Sequence, residues 1–312
     1  MTVLDRLAVA IVSFNTRALL ESCLESVLAA HPAQTVVVDN GSTDGSIELV
    51  RDRFAGVQLL TSERNRGYGA AANAAIAACD APAVLLLNAD TLLEPQTLTA
   101  LGRYLDEHPD AAVVGPRLVN ADGTLQGSAH PFPSARDALL AESGLHLVVR
   151  RLPWLRERSW RTWSHDRARQ VPWVLGAALA IRRGPFEAVG GFDEAFFMYG
   201  EEVDLCRRLA SAGFEVHFAP VATVVHLGGG STAAHAAAME REYIVGQRRY
   251  LTRHESRPRA RRVLLVMRAI VFARLLRDAA RLRLARGSER RRLRAAVAGW
   301  RQMVRERELW RP

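Results

Sequence analysis

The chain has 312 residues and a formal net charge of +9, and all 42 of its basic Lys/Arg residues are arginine. That length suits one large domain or two smaller ones, with 49% hydrophobic residues to fill a sizeable core. Cys23, Cys79 and Cys206 have no CxxC spacing, which argues against a zinc site or a disulfide frame and predicts buried, reduced thiols in a reducing compartment.

Charge is unevenly divided. Residues 241–312 carry 22 Arg against 6 Asp/Glu, whereas residues 1–240 carry 20 Arg against 27 Asp/Glu. An acidic body with a basic tail predicts that the tail meets something anionic. The start, MTVLDRLAVAIVSFN, lacks the charged onset and long apolar run of a secretory signal. No apolar run reaches 18 residues, so no membrane-spanning helix is predicted.

In chain order, AVAIVSF at 8–14 reads as a buried strand, and Leu19, Leu20, Cys23, Leu24, Val27 and Leu28 share one face of a helix over 17–30. TVVVD at 35–39 is a second strand. A polar turn leads from it into a helix at 46–54, and a short strand follows at 57–60. NRGYGAAANAAIAAC at 65–79 opens with glycines and continues as an alanine-rich helix. AVLLLNADT at 83–91 is a short apolar strand ending in Asn88-Ala89-Asp90, and Pro95 suits the first turn of a helix to about 107. Strands alternating with helices predict a doubly wound, mostly parallel sheet.

The second half is less regular. A strand is predicted at 111–119, with a hairpin turn at Asp122-Gly123. Residues 130–170, with Phe132, Trp154, Trp160 and Trp163, show no period and read as a mobile excursion. WVLGAALAIR at 173–182 reads as one strand and Phe186–Phe197 as a packed loop. Glu201–Ala212 reads as a helix closed by Gly213, with strands at 214–218 and 221–226. From about 235 the chain is helical and arginine-rich. VLLVMRAIVFARLL at 263–276 is apolar but interrupted by Arg268 and Arg274, a pattern suited to a helix lying in a membrane interface, with its arginines reaching lipid phosphates. The alternative is a helix packed on the body. Nucleic acid is not expected as a partner, because the tail has no recognised reading module and few interleaved aromatics.

Several residues at element ends carry chemistry. Asp39 can accept the N3–H of a pyrimidine base or simply cap the turn that follows it. Asn88 and Asp90 lie where an open α/β sheet places its ligands, and Asp90 can hold a divalent cation that in turn holds a diphosphate, or make a turn. Asn65-Arg66-Gly67-Tyr68-Gly69 offers a cation and a helix N-terminus to an anion. It is not the GxGxxG fingerprint, and none follows the first strand, which counts against a nicotinamide or flavin enzyme. Glu201 and Glu202 follow an aromatic loop, and one of them beside apolar walls can serve as a base. His226 ends an apolar strand ahead of Gly228-Gly229-Gly230, where backbone N–H groups can approach an anion. Imidazole plus one carboxylate is a partial shell for manganese or magnesium.

With VSFN at 12–15, VVVDNGSTDGS at 36–46, NRGYGAAANAA at 65–75, LLLNADT at 85–91, GAALAIRR at 176–183, VGGFDEAFFMYGEEVDLCRRL at 189–209 and HLGGGS at 226–231, the chain resembles a family 2 glycosyltransferase of the GT-A fold, and more narrowly the rhamnosyltransferase branch. The resemblance spans roughly residues 7–235. It implies a single Rossmann-like α/β domain with a mostly parallel central sheet and a C-terminal helical extension. Residues 1–115 would form the nucleotide-sugar half, 116–235 the acceptor half with the base and the metal histidine, and 236–312 a basic amphipathic tail.

The resemblance also implies roles. Asp39 would bind the base, with Ser13 and Asn15 nearby, and Arg66, Gly67 and Asn73 would lie along the nucleotide and diphosphate. Asp90 stands at the last position of the family's DxD motif and would bind Mg2+ or Mn2+. Asn88, at the first position, is a neutral ligand, and His226 would complete the shell. Trp173 and Gly176 would line the acceptor side. Glu202 would be the catalytic base, one methylene longer than the family's aspartate, and Glu201 would hold the acceptor or position the base.

The activity implied is an inverting, metal-dependent transfer of L-rhamnose from dTDP-rhamnose to a hydroxyl of a glycan or lipid-linked acceptor, such as a polyprenyl-diphosphate sugar. A UDP-linked hexose or N-acetylhexosamine donor is the alternative. A nucleotidyltransferase would want a cationic, glycine-rich loop after the first strand, which VSFNTR at 12–17 does not provide. A non-catalytic nucleotide-sugar-binding adaptor would tolerate loss of Glu202 and His226, and both are present. The expected location is the cytoplasm, peripheral on the inner face of the cell membrane through the tail.

Overall fold

The computed structural model describes residues 7–142, 163–228 and 236–312. Strands β1 (Leu7–Ser13), β2 (Thr35–Asp39), β3 (Gln58–Thr61) and β4 (Ala83–Asn88) lie in the order β3-β2-β1-β4, all parallel. Helices α1 (Arg17–Ala29), α2 (Ser46–Arg53) and α3 (Tyr68–Ala77) make the crossovers. Because side chains alternate along a strand, β1 and β4 feed two cores. Val9, Ile11, Leu85 and Leu87 pack on one face with Leu20 and Leu24 of α1, while Ala8, Ala10, Val84 and Leu86 pack on the other with Ala71, Ala75 and Ile76 of α3. This is the doubly wound α/β arrangement predicted.

Beyond β4 come β5 (Thr91–Leu93), α4 (Thr97–Glu107), β6 (Ala111–Val119), β7 (Leu125–Gln126) and β8 (Ala129–His130). After them come α5 (Ala135–Glu142), β9 (Arg169–Gln170), β10 (Trp173–Val174), β11 (Ala178–Arg182), α6 (Arg183–Ala188), α7 (Glu201–Ser211) and β12 (Glu215–His226). The sheet continues β4-β11-β6-β12-β5. β11 is antiparallel to both β4 and β6, and β12 is parallel to β6. The carboxyl ends of β1, β2, β4, β6 and β12 therefore share one edge, joined there by the amino end of β11. Ser13 pairs with Asp39, Val12 with Asn88, and His226 with Thr91. Every strand end singled out in the sequence lies on this edge.

Three expectations change. Residues 173–182 are two strands, parted at Leu175–Ala177, where the Leu175 amide turns to the Ser128 carbonyl and the Ala177 carbonyl accepts the Asn88 amide. The strands expected at 214–218 and 221–226 are one irregular strand, β12, with a register shift between Phe218 and Thr223. Residues 163–170 are packed rather than mobile. Trp163 is buried against His165, Phe218 and the Arg169 guanidinium, and Arg169 and Gln170 pair with β12. Trp154 and Trp160 lie outside the described residues.

The described residues fall in two compact units, one within 1–131, 157–197 and 201–228, the other within 132–156, 198–200 and 229–312. The second holds α5, the turn 198–200, and the C-terminal helices α8 (Ala236–His254), α9 (Arg257–Leu284) and α10 (Gly287–Arg305). α9 and α10 pack antiparallel. Trp300 donates its indole N–H to Asp278 at 3.1 Å and receives the Arg274 guanidinium over its ring, and the Arg268 side chain reaches the Val304 carbonyl. In the same unit Tyr199, at φ 66°, lays its carbonyl against Gly246 of α8 so closely that a Cβ there would stand 1.8 Å from the oxygen. No described helix is long and apolar enough to cross a membrane.

Candidate active site

Asp39 caps its turn with one carboxyl oxygen only. Its Oδ1 accepts the Gly41 and Ser42 amides at 3.1 and 2.7 Å, while its Oδ2 is buried with no hydrogen-bond partner among the described residues. A buried carboxylate oxygen without a donor is costly, and a ligand N–H would satisfy it. Around it, asparagines hold loops. Asn15, at φ 52°, donates its amide to Ser42 and accepts the Thr43 amide on its side chain, each at 2.8 Å. Ser13 is buried, its hydroxyl bonded to Thr16 at 3.0 Å.

Asn40, which sequence reasoning passed over as part of a turn, binds the next loop. It donates to Asn65 and to the Gly67 carbonyl and accepts the Arg66 amide. Gly67 takes φ +90°, and a Cβ there would stand 2.6 Å from the Phe197 carbonyl oxygen, which accepts the Tyr68 amide at 2.8 Å. The exposed Arg66 guanidinium lies 3.4 Å from Glu194. Both ends of the Asn73 amide are bonded to the 192–194 loop: its Nδ2 donates to the Phe192 carbonyl and to Glu194, and its Oδ1 accepts the Phe192 amide.

At the end of β4, Asn88 presents a buried Oδ1 with no hydrogen-bond partner among the described residues. The Asp90 Oδ1 stands 3.3 Å from His226 Nε2, and the Asp90 carbonyl accepts the Leu227 amide. The His226 Nδ1 is bonded to Gln126 at 2.8 Å, which fixes the ring. Gln126 was not singled out from the sequence; it sits on a two-residue strand with no local signal. Gly229 and Gly230 lie outside the described residues. Among the described residues no group of three or more His, Cys, Asp or Glu could hold a metal ion. Two protein ligands, with the Asn88 oxygen nearby on the same edge, suit a cation that takes its remaining ligands from phosphate and water.

The second carboxylate group begins α7. Glu201 and Glu202 are both buried, as is Asp204, which is tied to Arg208 at 2.7 Å. The backbone at Gly176 lies beside Glu202, whose Cβ, Cγ and Cδ are 3.8–3.9 Å from where a Gly176 Cβ would be. The Gly176 carbonyl accepts the Tyr68 hydroxyl at 3.0 Å. Glu201 Oε2 is buried with no hydrogen-bond partner among the described residues, and burial together with the charge of Glu202 holds the Glu201 carboxyl well above the usual range. Burial, with the nearby acidic groups adding to it, likewise pushes the Tyr68 phenol up. Trp173 donates its indole N–H to the Pro131 carbonyl at 2.7 Å and lies against His130.

Cys23 donates weakly to the Asn88 carbonyl behind the site, and burial pushes its thiol up to about 12. All three cysteines are buried and free, as predicted.

The sheet, with Asp39, Asn88, Asp90 and His226 along one edge, has the fold of the GT-A glycosyltransferases. The fold is similar to a mannosyltransferase from Pyrobaculum calidifontis solved with GDP-Man and Mn2+ (TM-score 0.57, 18% identity, 97% of this chain and 88% of that one). It is also similar to GalNAc-T7 solved with UDP, GalNAc and Mn2+ (TM-score 0.53, 17% identity, 80% and 51%). Residues 5–244 match the model of the family described as glycosyltransferase like family 2, and the chain belongs to that family. It is 35% identical over 256 residues to an N-acetylglucosaminyl-diphospho-decaprenol L-rhamnosyltransferase of Mycobacterium tuberculosis, covering 75% of this chain and 81% of the relative.

Proposed function

We propose that this glycosyltransferase is an inverting, metal-dependent rhamnosyltransferase that moves L-rhamnose from a dTDP-linked donor to a hydroxyl of a lipid-linked diphosphate sugar. The observation that carries the reading is the Asp90–His226 pair on the strand edge that also holds Asp39, with Glu202 lying beside the Gly176 backbone to which Tyr68 is bonded. The similarity to the mycobacterial rhamnosyltransferase supports the sugar and the acceptor class.

In this reading the free Oδ2 of Asp39 accepts the N3–H of the base. Ser13 and Asn15 shape the base pocket, and the Arg66–Gly67 segment meets the diphosphate. Asp90 and His226 hold Mg2+ or Mn2+, with Asn88 as a neutral neighbour. The cation, when bound, stabilises negative charge on the departing diphosphate. Glu202 takes the proton of the acceptor hydroxyl, and that oxygen attacks the anomeric carbon opposite the nucleotide. The leaving group needs a cation rather than a proton, so one base suffices. Glu201, whose carboxyl burial and Glu202 hold above the usual range, lies beside the base in the same first turn. Gly176 and Trp173 line the acceptor side, and Tyr68 fixes the Gly176 backbone. The chain works at the inner face of the membrane, held there peripherally by its basic tail.

The test is a screen of dTDP- and UDP-sugars against a short-chain polyprenyl-diphosphate acceptor, with manganese, magnesium or chelator, read by mass spectrometry. Metal-dependent transfer of deoxyhexose is the expected result. Transfer only from UDP-hexose or UDP-N-acetylhexosamine would overturn the sugar, and equal turnover with chelator would overturn the metal.

A further inference from the structure

We infer that the outward face of α9 is a docking surface for anionic phospholipid, an inference that rests on the peripheral attachment proposed above and assigns it to particular side chains. α9 buries Ala260, Val263, Leu264, Met267, Val271 and Asp278. Steps of three and four residues along its other side bring out Leu265, Ala269, Phe272, Ala273, Leu276 and Ala280, all exposed. Leu265 is 51%, Phe272 48% and Leu276 56% accessible. Large apolar side chains at such exposure, aligned over about 16 Å at 1.5 Å per residue with alanines between and beyond them, form a stripe rather than scattered single residues.

Charge selects the occupant. Arg261 and Arg262 close one end of the stripe and Arg283 the other, all exposed. Over its whole length α9 carries nine arginines against Asp278 alone. A second copy of the chain seated on this face would bring like charges together. A bilayer with anionic headgroups would neutralise the arginines while its acyl boundary takes up Leu265, Phe272 and Leu276. The same arginines keep the helix from spanning, so it lies in the plane of the interface.

The experiment uses the full chain and vesicles of phosphatidylcholine with or without phosphatidylglycerol, read by co-sedimentation. Wild type is expected to bind the anionic vesicles and to leave the neutral ones largely free. L265S/F272S/L276S should lower the bound-to-free ratio at least tenfold, with melting temperature and solution mass unchanged. R261Q/R262Q/R283Q should remove the preference for anionic vesicles. Undiminished sedimentation of the triple serine variant would overturn the inference. So would a dimeric wild type made monomeric by those serines, because a second copy then covers the stripe. A lowered melting temperature would overturn it too, because the stripe then packs on its own chain. Transfer to a water-soluble acceptor reports separately on the proposed reaction: vesicle binding without transfer sinks that reading and leaves the docking face standing.

Discussion

The Tyr68 hydroxyl donates to the Gly176 carbonyl at 3.0 Å, and the backbone it fixes lies against the side chain of Glu202. Glu202 thus has that backbone along its side chain. Glu202→Gln keeps that shape and removes the base. Transfer should fall by about 10²–10⁴-fold with donor binding unchanged, measured by single-turnover kinetics and calorimetry. Normal turnover in this variant would assign the base elsewhere.

Glu201 links the site to stability. Its folded carboxyl titrates above its unfolded value because of burial and of Glu202. Such a group favours the fold fully below the unfolded value and loses that contribution as pH rises toward the folded one. Between these limits wild type should lose up to ~1.4 kcal/mol per pH unit relative to Glu201→Gln. Melting curves of the two proteins should therefore diverge upward from about pH 4.5, the glutamine variant gaining. Parallel curves would mean that Glu201 is ionised in its buried place.

The Gln126–His226 bond gives a test for the metal reading. Gln126→Ala frees the imidazole to rotate without touching Asp90. Manganese affinity, read by electron paramagnetic resonance with nucleoside diphosphate present, should weaken by about 10–100-fold. An unchanged affinity would remove His226 from the proposed shell.

Gly67→Ala should cost about 1–3 kcal/mol in chemical denaturation, because an L side chain is strained at φ +90° and its Cβ meets the Phe197 carbonyl. A stability within experimental error of wild type would show that the 65–69 loop can move aside.

Much of this was legible in the sequence where local pattern and tertiary role coincide. β1, β2 and β4 are short apolar runs because both faces of each are covered, and their ends fall on the edge where a parallel sheet binds ligands. What escaped depends on distant partners. Trp163 looked loose because Phe218 and Arg169, which bury it, have no periodic relation to it. The break near Gly176 inside an apolar run was hidden because Trp173 and Val174 pair with Ala129 and His130, far away in the chain. Asn73 sits in a glycine-led motif that suggested phosphate, yet its partners lie in the 192–194 loop. Gln126 has no neighbours that announce it. Asp39 was legible as a turn cap, with one oxygen making the turn and the other unpartnered among the described residues.

The seat of the Tyr199 carbonyl on Gly246 changes how the C-terminal third should be handled in experiments. Tyr199 and Gly200 are the last residues before Glu201, and cutting the chain after β12 would remove Gly246, on which the Tyr199 carbonyl is seated. A truncated enzyme that had lost both lipid binding and turnover would confuse two separate faults. Point changes on the outer side of α9 leave that seat intact, and Gly246→Ala disturbs it alone.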